Sequence, residues 1–123
     1  MDNARIAIFE DIKPLRIGLR QTLESYDHSV TAEAGSLSDA LGIIKQIKIG
    51  RIAVDFLILD NNLTDLNESR KDAKKIYDSL EKERLYPVIL GYSNHDLSEE
   101  GVLVAAQFKK GGIQSVAQYI NAY

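Results

Sequence analysis

The feature that most constrains the fold is a run of four apolar residues that ends on a carboxylate. The run is Phe56–Leu59, and Asp60 and two asparagines follow it. A strand that is apolar on both faces is typical of a parallel sheet covered by helices, where ligand sites lie beyond the carboxyl ends of the strands. The pattern predicts a buried central strand with Asp60 at a ligand site. Since a lone aspartate after a strand more often caps a turn, other parts of the chain must decide.

Length and composition narrow the class of protein. A chain of 123 residues that is 45% hydrophobic fits one domain over residues 1–123. The chain has no cysteine, which excludes disulfides and thiolate metal sites. No apolar stretch approaches the length of a membrane span, so we expect a soluble cytoplasmic protein that does not bind membranes. The net charge of −3, without a basic stripe, argues against direct nucleic-acid binding.

Strand patterns alternate with helix patterns along the first ninety residues. Helices are predicted by Pro14 in a first turn, by the Ser36 and Asp39 capping signal, and by Asn67 as the cap of a third apolar stripe. Alternation of this kind predicts an α/β fold with a parallel sheet and right-handed crossovers. Besides the central strand, the predicted strands are Arg5–Phe9, Ser29–Ala34 and Pro87–Gly91.

The C-terminal part is too short for the usual set of elements. Thirty residues follow Ser93, whereas a helix, a strand, a final helix and their connections need roughly thirty-five. We assign Val102–Phe108 to a strand and Ile113–Tyr123 to the last helix, with residues 109–112 as the connecting loop. The fourth helix is then absent or only a turn, residues 94–101 form a loop, and His95 is solvated.

A missing fourth helix has a consequence for the surface. It would uncover apolar sheet surface beside the fourth and fifth strands, and large exposed apolar patches usually mark binding sites. We therefore expect a second copy of the chain, as a homodimer, or a partner protein to cover this face.

Polar residues follow the predicted strands and converge on one edge of the sheet. Each has an ordinary explanation when taken alone, such as an acid pair at a helix N-terminus, a turn serine or a loop lysine. They lie in the segments Phe9-Glu10-Asp11, Leu59-Asp60, Gly91-Tyr92-Ser93 and Phe108-Lys109-Lys110. Together and in this order these segments resemble the motifs of response-regulator receiver domains, and the resemblance covers essentially the whole chain.

The resemblance implies both a fold and a function. The fold is a doubly wound, five-stranded parallel sheet of order 2-1-3-4-5 with helices on both faces. The function is acceptance of a phosphoryl group by Asp60 from the phosphohistidine of a histidine kinase or a histidine phosphotransfer protein, which then changes a protein–protein interface. Such a protein catalyses only its own phosphorylation and dephosphorylation, so we do not expect an enzyme in the ordinary sense.

The resemblance also assigns roles at the site. Phosphoryl transfer to a carboxylate requires a hard cation, and Mg²⁺ prefers oxygen ligands such as those of Asp11 and Asp60. By resemblance, the backbone carbonyl of Asn62 adds a third protein ligand and Glu10 acts through water. Ser93 would hydrogen-bond a phosphoryl oxygen, and a lysine would pair with another.

The sequence leaves two lysines as candidates for that role. Helix spacing favours Lys109, whereas strand alternation favours Lys110. Adjacent residues that leave a strand point to opposite faces, so only one of them is expected to enter the site.

Departures from the receiver pattern motivate two alternatives. The aromatic residue expected three positions before the lysine is replaced by Ala106 or Gln107, and no proline follows the lysine. These changes would suit a pseudo-receiver that binds proteins independently of phosphorylation, unless Tyr92 or Phe108 substitutes for the aromatic. A small nucleotide or flavin enzyme of similar fold is disfavoured, because no glycine-rich loop follows the first strand.

Overall fold

A single parallel sheet forms the centre of the computed structural model, which describes residues 1–63 and 71–123. Its strand order is β2-β1-β3-β4-β5, and each neighbouring pair is parallel. This confirms the predicted α/β class and strand order. The strands are β1 (Arg5–Phe9), β2 (Ser29–Ala34), β3 (Phe56–Leu59), β4 (Val88–Tyr92) and β5 (Ala106–Phe108).

Helices cover both faces of the sheet, as predicted. Within the described ranges they are α1 (Lys13–Ser25), α2 (Leu37–Lys48), α3 (Asp72–Lys82) and α4 (Ile113–Ala122). Helices α1 and α4 pack on one face, and α2 and α3 pack on the other.

Local capping signals explain where some of these helices begin. The predicted cap of α2 is confirmed, because the Ser36 hydroxyl accepts a hydrogen bond of 3.1 Å from the Asp39 N–H. Pro14 lies in the first turn of α1, where its missing N–H costs nothing. The predicted cap Asn67 lies outside the described residues. None of the helices within the described ranges has the length and apolar character needed to cross a membrane.

Alternating side chains of the central strands supply both halves of the core. In β1 and β3, Ile6 and Ile58 pack toward α1 and α4, whereas Ala7 and Leu57 pack toward α2 and α3. All four residues of β3 are buried, and each large apolar side chain buried in this way contributes about 1.5–3 kcal/mol. Because β3 is held from both sides, Asp60 has a fixed position at its carboxyl end.

The connection between β4 and β5 contains only a short turn, so the predicted loss of the fourth helix is confirmed. The turn is a 3₁₀ helix, Leu97–Glu100, and the Asp96 side chain caps it by accepting from the Ser98 N–H at 2.9 Å. It ends at Gly101, whose φ of +82° favours glycine. His95 is exposed in the preceding loop, as predicted.

Two apolar side chains replace the missing helix over the sheet. Leu97 and Val102 are 0% and 1% exposed and join the core on the α2 and α3 face. Leu103, between Val102 and the strand, is 76% exposed. The turn therefore covers part of the face that we expected to be open, and the homodimer stays a prediction.

The predicted start of the fifth strand is wrong. We assigned Val102–Phe108 to a strand, but only Ala106–Phe108 pairs with β4. Val102 is drawn into the core beneath the turn, and the chain first bonds to the sheet when the Ala105 N–H donates to the Ile89 carbonyl at 2.9 Å. The apolar run thus serves packing at its start and strand pairing only at its end.

Replacement of Leu97 by alanine tests the role of this turn in stability. Leu97→Ala should lower the free energy of unfolding by about 2–5 kcal/mol, because it leaves a cavity in the core. Leu103→Ala is the matched control and should stay within about 0.5 kcal/mol of the parent, because that side chain is exposed. Urea denaturation measures both, and equal effects of the two substitutions would contradict this account.

Candidate functional site

Four of the predicted site residues line a pocket beyond the carboxyl ends of β1, β3, β4 and β5. The pocket has a volume of about 340 Å³. Asp11 lies beside it in the acid cluster described below. Residues that line the pocket include Asp60, Asn61, Asn62, Ser93, His95 and Lys110.

Lys110 is the lysine that enters the site. Its Nζ lies 2.9 Å from Asp60 Oδ2, 3.3 Å from Glu10 Oε2 and 3.6 Å from Asp11 Oδ1. Lys109 is exposed. Strand alternation therefore indicated the correct lysine and helix spacing the wrong one. The strand β5 ends at Phe108, and Lys110 lies two positions beyond it, as the alternation required.

Asp60 is buried and held at both carboxylate oxygens. Oδ1 accepts a hydrogen bond of 2.7 Å from the Asn61 N–H, and Oδ2 accepts from Lys110. The backbone N–H of Asp60 donates to the Phe9 carbonyl at 2.9 Å, which joins β3 to the end of β1. Burial raises the pKa of Asp60 above its usual value, although the hydrogen bond from Lys110 opposes this.

Three carboxylates form a tight cluster beside the pocket, and one of them, Asp60, lines it. One oxygen from each of Glu10, Asp11 and Asp60 lies within 4.8 Å of the others. Burial and the neighbouring Asp11 and Asp60 raise the pKa of Glu10 to about 8. Burial works against ionisation of Asp11 too, but hydrogen bonding with Glu10 and Asp60 and the charge of Lys110 lower its pKa. The pKa values of Glu10 and Asp11 are thus shifted in opposite directions.

The cluster has the donor set that a hard divalent cation requires. Glu10 Oε1 is buried and accepts no hydrogen bond from any residue in ranges 1–63 and 71–123, and Asp11 Oδ1 is buried 3.6 Å from the Lys110 ammonium, beyond hydrogen-bond distance. Buried carboxylate oxygens without donors are costly unless a cation binds them. The oxygen ligands fit Mg²⁺ better than a softer metal. Asn62 lines the same pocket, and its carbonyl stays a predicted ligand.

Ser93 lies at the pocket wall, at the end of β4. Its residue is 5% exposed, and its hydroxyl accepts a hydrogen bond of 3.2 Å from the His95 N–H. The backbone N–H of Ser93 donates to the Phe108 carbonyl at 3.0 Å, which ties the serine to β5. A hydroxyl that accepts this bond can still donate its own hydrogen to a bound oxygen.

Tyr92 has a role at the site that the sequence analysis did not identify. Its ring is buried against α1 and α4, and its hydroxyl accepts a hydrogen bond of 2.8 Å from the Gly111 N–H. Tyr92 thus anchors the loop directly after Lys110. The signal in the sequence was a tyrosine at the end of a buried strand, since a buried tyrosine hydroxyl usually has a partner.

Asn61 is a second residue whose role the sequence analysis missed. Its side chain is buried beside Asp60, and neither its amide nitrogen nor its amide oxygen has a hydrogen-bond partner within the described part of the chain. It lines the pocket, where it offers one donor group and one acceptor. Its position next to Asp60 was the only sequence signal.

Structural comparison decides which fold these residues belong to. The signal receiver domain of NarL from Mycobacterium tuberculosis matches with a TM-score of 0.74 and 18% identity over 99% of this chain and 96% of that chain. A LuxR-family DNA-binding response regulator from Staphylococcus aureus gives 0.73 and 19% over 97% of both chains. The receiver domain of the histidine kinase CKI1 from Arabidopsis thaliana, complexed with Mg²⁺, gives 0.71 and 15% over 99% and 92%. The chain has the receiver-domain fold.

This confirms the fold that the resemblance implied. No family model matches the sequence, and no curated protein matches it. At identities of 14–20% the likeness to solved receivers concerns the fold. The case for function therefore depends on the geometry of Asp60, Lys110 and the acid cluster within the receiver fold.

Binding of Mg²⁺ to the acid cluster should stabilise the protein, and the gain should rise with the logarithm of the Mg²⁺ concentration above the Kd. At ten times the Kd the free energy of unfolding should rise by about 1.4 kcal/mol. Asp11→Asn should remove most of this gain, because it replaces a charged ligand with a neutral one. Thermal unfolding with and without MgCl₂ measures the effect. Asp78→Asn, on the exposed side of α3, is the control, and an equal Mg²⁺ response in both variants would contradict the assignment.

Proposed function

We propose that the chain is a phosphoacceptor receiver of a two-component or phosphorelay system. The observation that supports this best is the contact between Lys110 and Asp60, which brings a cation to a buried carboxylate in an open pocket beside two further acids. Protein binding that is independent of phosphorylation does not require this arrangement. The receiver fold of the solved neighbours agrees with the proposal.

The proposed reaction moves a phosphoryl group from a histidine to Asp60. One carboxylate oxygen of Asp60 attacks phosphorus, and the P–N bond to the donor imidazole breaks as the new O–P bond forms. The imidazole leaves with the bonding electron pair and takes up a proton. The product is an acyl phosphate on Asp60, and hydrolysis of its O–P bond later restores the carboxylate.

Lys110 and Ser93 would stabilise the charge on the transferred group. Lys110 and Asp60 line the same pocket. The Lys110 ammonium would therefore move from the Asp60 carboxylate to an oxygen of the phosphoryl group bound to it. The Ser93 hydroxyl would donate to a second oxygen. Mg²⁺ held by Asp11, Asp60 and the Asn62 carbonyl, with Glu10 acting through water, would neutralise further charge.

The partners follow from this chemistry. The donor would be a histidine kinase or a histidine phosphotransfer protein, and the output would be a change in a protein–protein interface. The protein would modify only itself and would turn over no separate substrate, so it would not be an ordinary enzyme. We expect it to act in the cytoplasm, where such donors are found.

Intact mass after incubation with Mg²⁺ and acetyl phosphate tests the proposal. The parent protein should gain one phosphoryl group, and Asp60→Asn should gain none, because the amide is not a nucleophile at this site. Asp78→Asn is the control and should be labelled like the parent. Labelling of the Asp60→Asn variant, or no labelling of the parent by either acetyl phosphate or a phosphohistidine donor, would contradict the proposal.

The two lysines provide a matched pair for a second test. Lys110→Met should slow labelling roughly 100-fold, because a charged donor to the transferred group is lost. Lys109→Met should label at the rate of the parent, because Lys109 is exposed. Rates come from the time course of phosphorylation at saturating Mg²⁺. Equal rates for the two variants would show that Lys110 does not contact the phosphoryl group.

A further inference from the structure

Gln107 lies three residues before Lys110 and connects β5 to the loop that begins at Ser93. Its Nε2 lies 3.2 Å from the Ser93 carbonyl, 3.1 Å from the His95 carbonyl and 3.3 Å from the Phe108 carbonyl. Its Oε1 accepts a hydrogen bond of 3.0 Å from the Leu97 N–H. One side chain thus bonds to both the start of the loop and the start of the 3₁₀ turn.

The orientation of this amide follows from its neighbours. Three carbonyl oxygens face one end, which must be the NH₂ group, and a backbone N–H faces the other, which must be the oxygen. The two N–H groups serve three carbonyls, so at least one bond is shared. A flipped amide would place its oxygen against those carbonyls and leave the Leu97 N–H without its acceptor.

The space for this amide exists because residue 91 is glycine. A Cβ atom at Gly91 would overlap Gln107 Oε1 and would lie 2.7 Å from Gln107 Cδ and 3.0 Å from Nε2. These separations are shorter than ordinary van der Waals contacts. The clash is with the end of a flexible side chain, so Gly91→Ala would displace the amide rather than the strand. Gly91 pairs with Gln107 across β4 and β5, which places the two residues side by side.

We propose that Gln107 is a positioning residue that acts through Ser93. By holding the Ser93 and His95 carbonyls and the Leu97 N–H, its amide fixes the loop in one arrangement before any phosphoryl group binds. The same loop supplies the His95 N–H that donates to Ser93 Oγ. Gln107 therefore sets where the Ser93 hydroxyl lies relative to Asp60. The catalytic part of this inference rests on the proposed function, whereas the structural part does not.

Hydrogen exchange at the Leu97 amide tests the structural part. Gln107→Met keeps the length of the side chain but removes the acceptor, and Gly91→Ala pushes the acceptor away. Each should speed exchange of the Leu97 N–H about fivefold or more, since one hydrogen bond is lost. The double variant should exchange no faster than the faster single variant, because both changes break the same contact.

Two control substitutions separate this effect from general loosening. Gln118→Met changes the same residue type on the exposed side of α4. Gly42→Ala adds a methyl group in α2, where no atom of residues 1–63 and 71–123 beyond its chain neighbours and the adjacent helix backbone lies within 4 Å. Both should leave Leu97 exchange at the rate of the parent. If Gly91→Ala does not fold, Gln107→Met alone decides, and parent-like exchange in that variant would overturn the proposal.

The labelling rate of Asp60 tests the catalytic part. Gln107→Met should slow labelling by acetyl phosphate roughly tenfold, because Ser93 loses its fixed position. In a Ser93→Ala background the same substitution should have little further effect, since Ser93 is the group through which Gln107 acts. A full additional slowing in that background would overturn the positioning role.

The outcomes distinguish the two proposals. If the parent is not labelled at all, the proposed function fails, and with it the catalytic role of Gln107. The Leu97 exchange rates still decide whether Gln107 holds the loop. If the parent is labelled and Gln107→Met changes neither exchange nor rate, the proposed function stands and this inference is wrong.

Discussion

The ion pair between Lys110 and Asp60 is the interaction on which the arrangement of the site depends. Three carboxylates within 4.8 Å repel one another, and burial strengthens that repulsion. The Lys110 ammonium reduces it, but only because β5 pairs with β4 in a register that sets Tyr92 opposite Phe108. Tyr92 then holds the next loop through Gly111. The register of β4 and β5, Tyr92 and Lys110 together place a positive charge that offsets the repulsion among the three acids.

Sequence patterns predicted the fold wherever periodicity and capping agreed. The run Phe56–Leu59 indicated a strand buried on both faces, and all four side chains are buried. Ser36 and Asp39 predicted the start of α2 to the residue. The number of residues after Ser93, together with the patterns assigned to the fifth strand and the last helix, predicted the loss of the fourth helix. The run from Val102 was misassigned because strand preference and burial favour the same residues, and only the tertiary structure shows that Val102 packs beneath a turn.

The site was predicted in its residue types but not in its finer contacts. Acids and a serine at strand ends converge in any parallel sheet, so Asp60, Asp11 and Ser93 were predictable. The choice of Lys110 over Lys109 required the exact end of β5. The contacts of Gln107 with Gly91 and Leu97 cross between β5, β4 and the turn, and no local pattern encodes which polar side chain fills the space above a glycine.

The short turn between β4 and β5 also limits how the molecule can change shape. Residues 93–105 make the whole crossover, close to the dozen or so that parallel neighbours need. A long crossover helix can slide as a rigid rod while its flanking loops absorb the motion. The connection between β4 and β5 has almost no spare residues, because Leu97 and Val102 are buried in the core at the two ends of the turn. Any displacement that begins at Ser93 must therefore disturb the core packing of Leu97 or Val102. The resulting change in structure would occur beside α3, which packs against these residues.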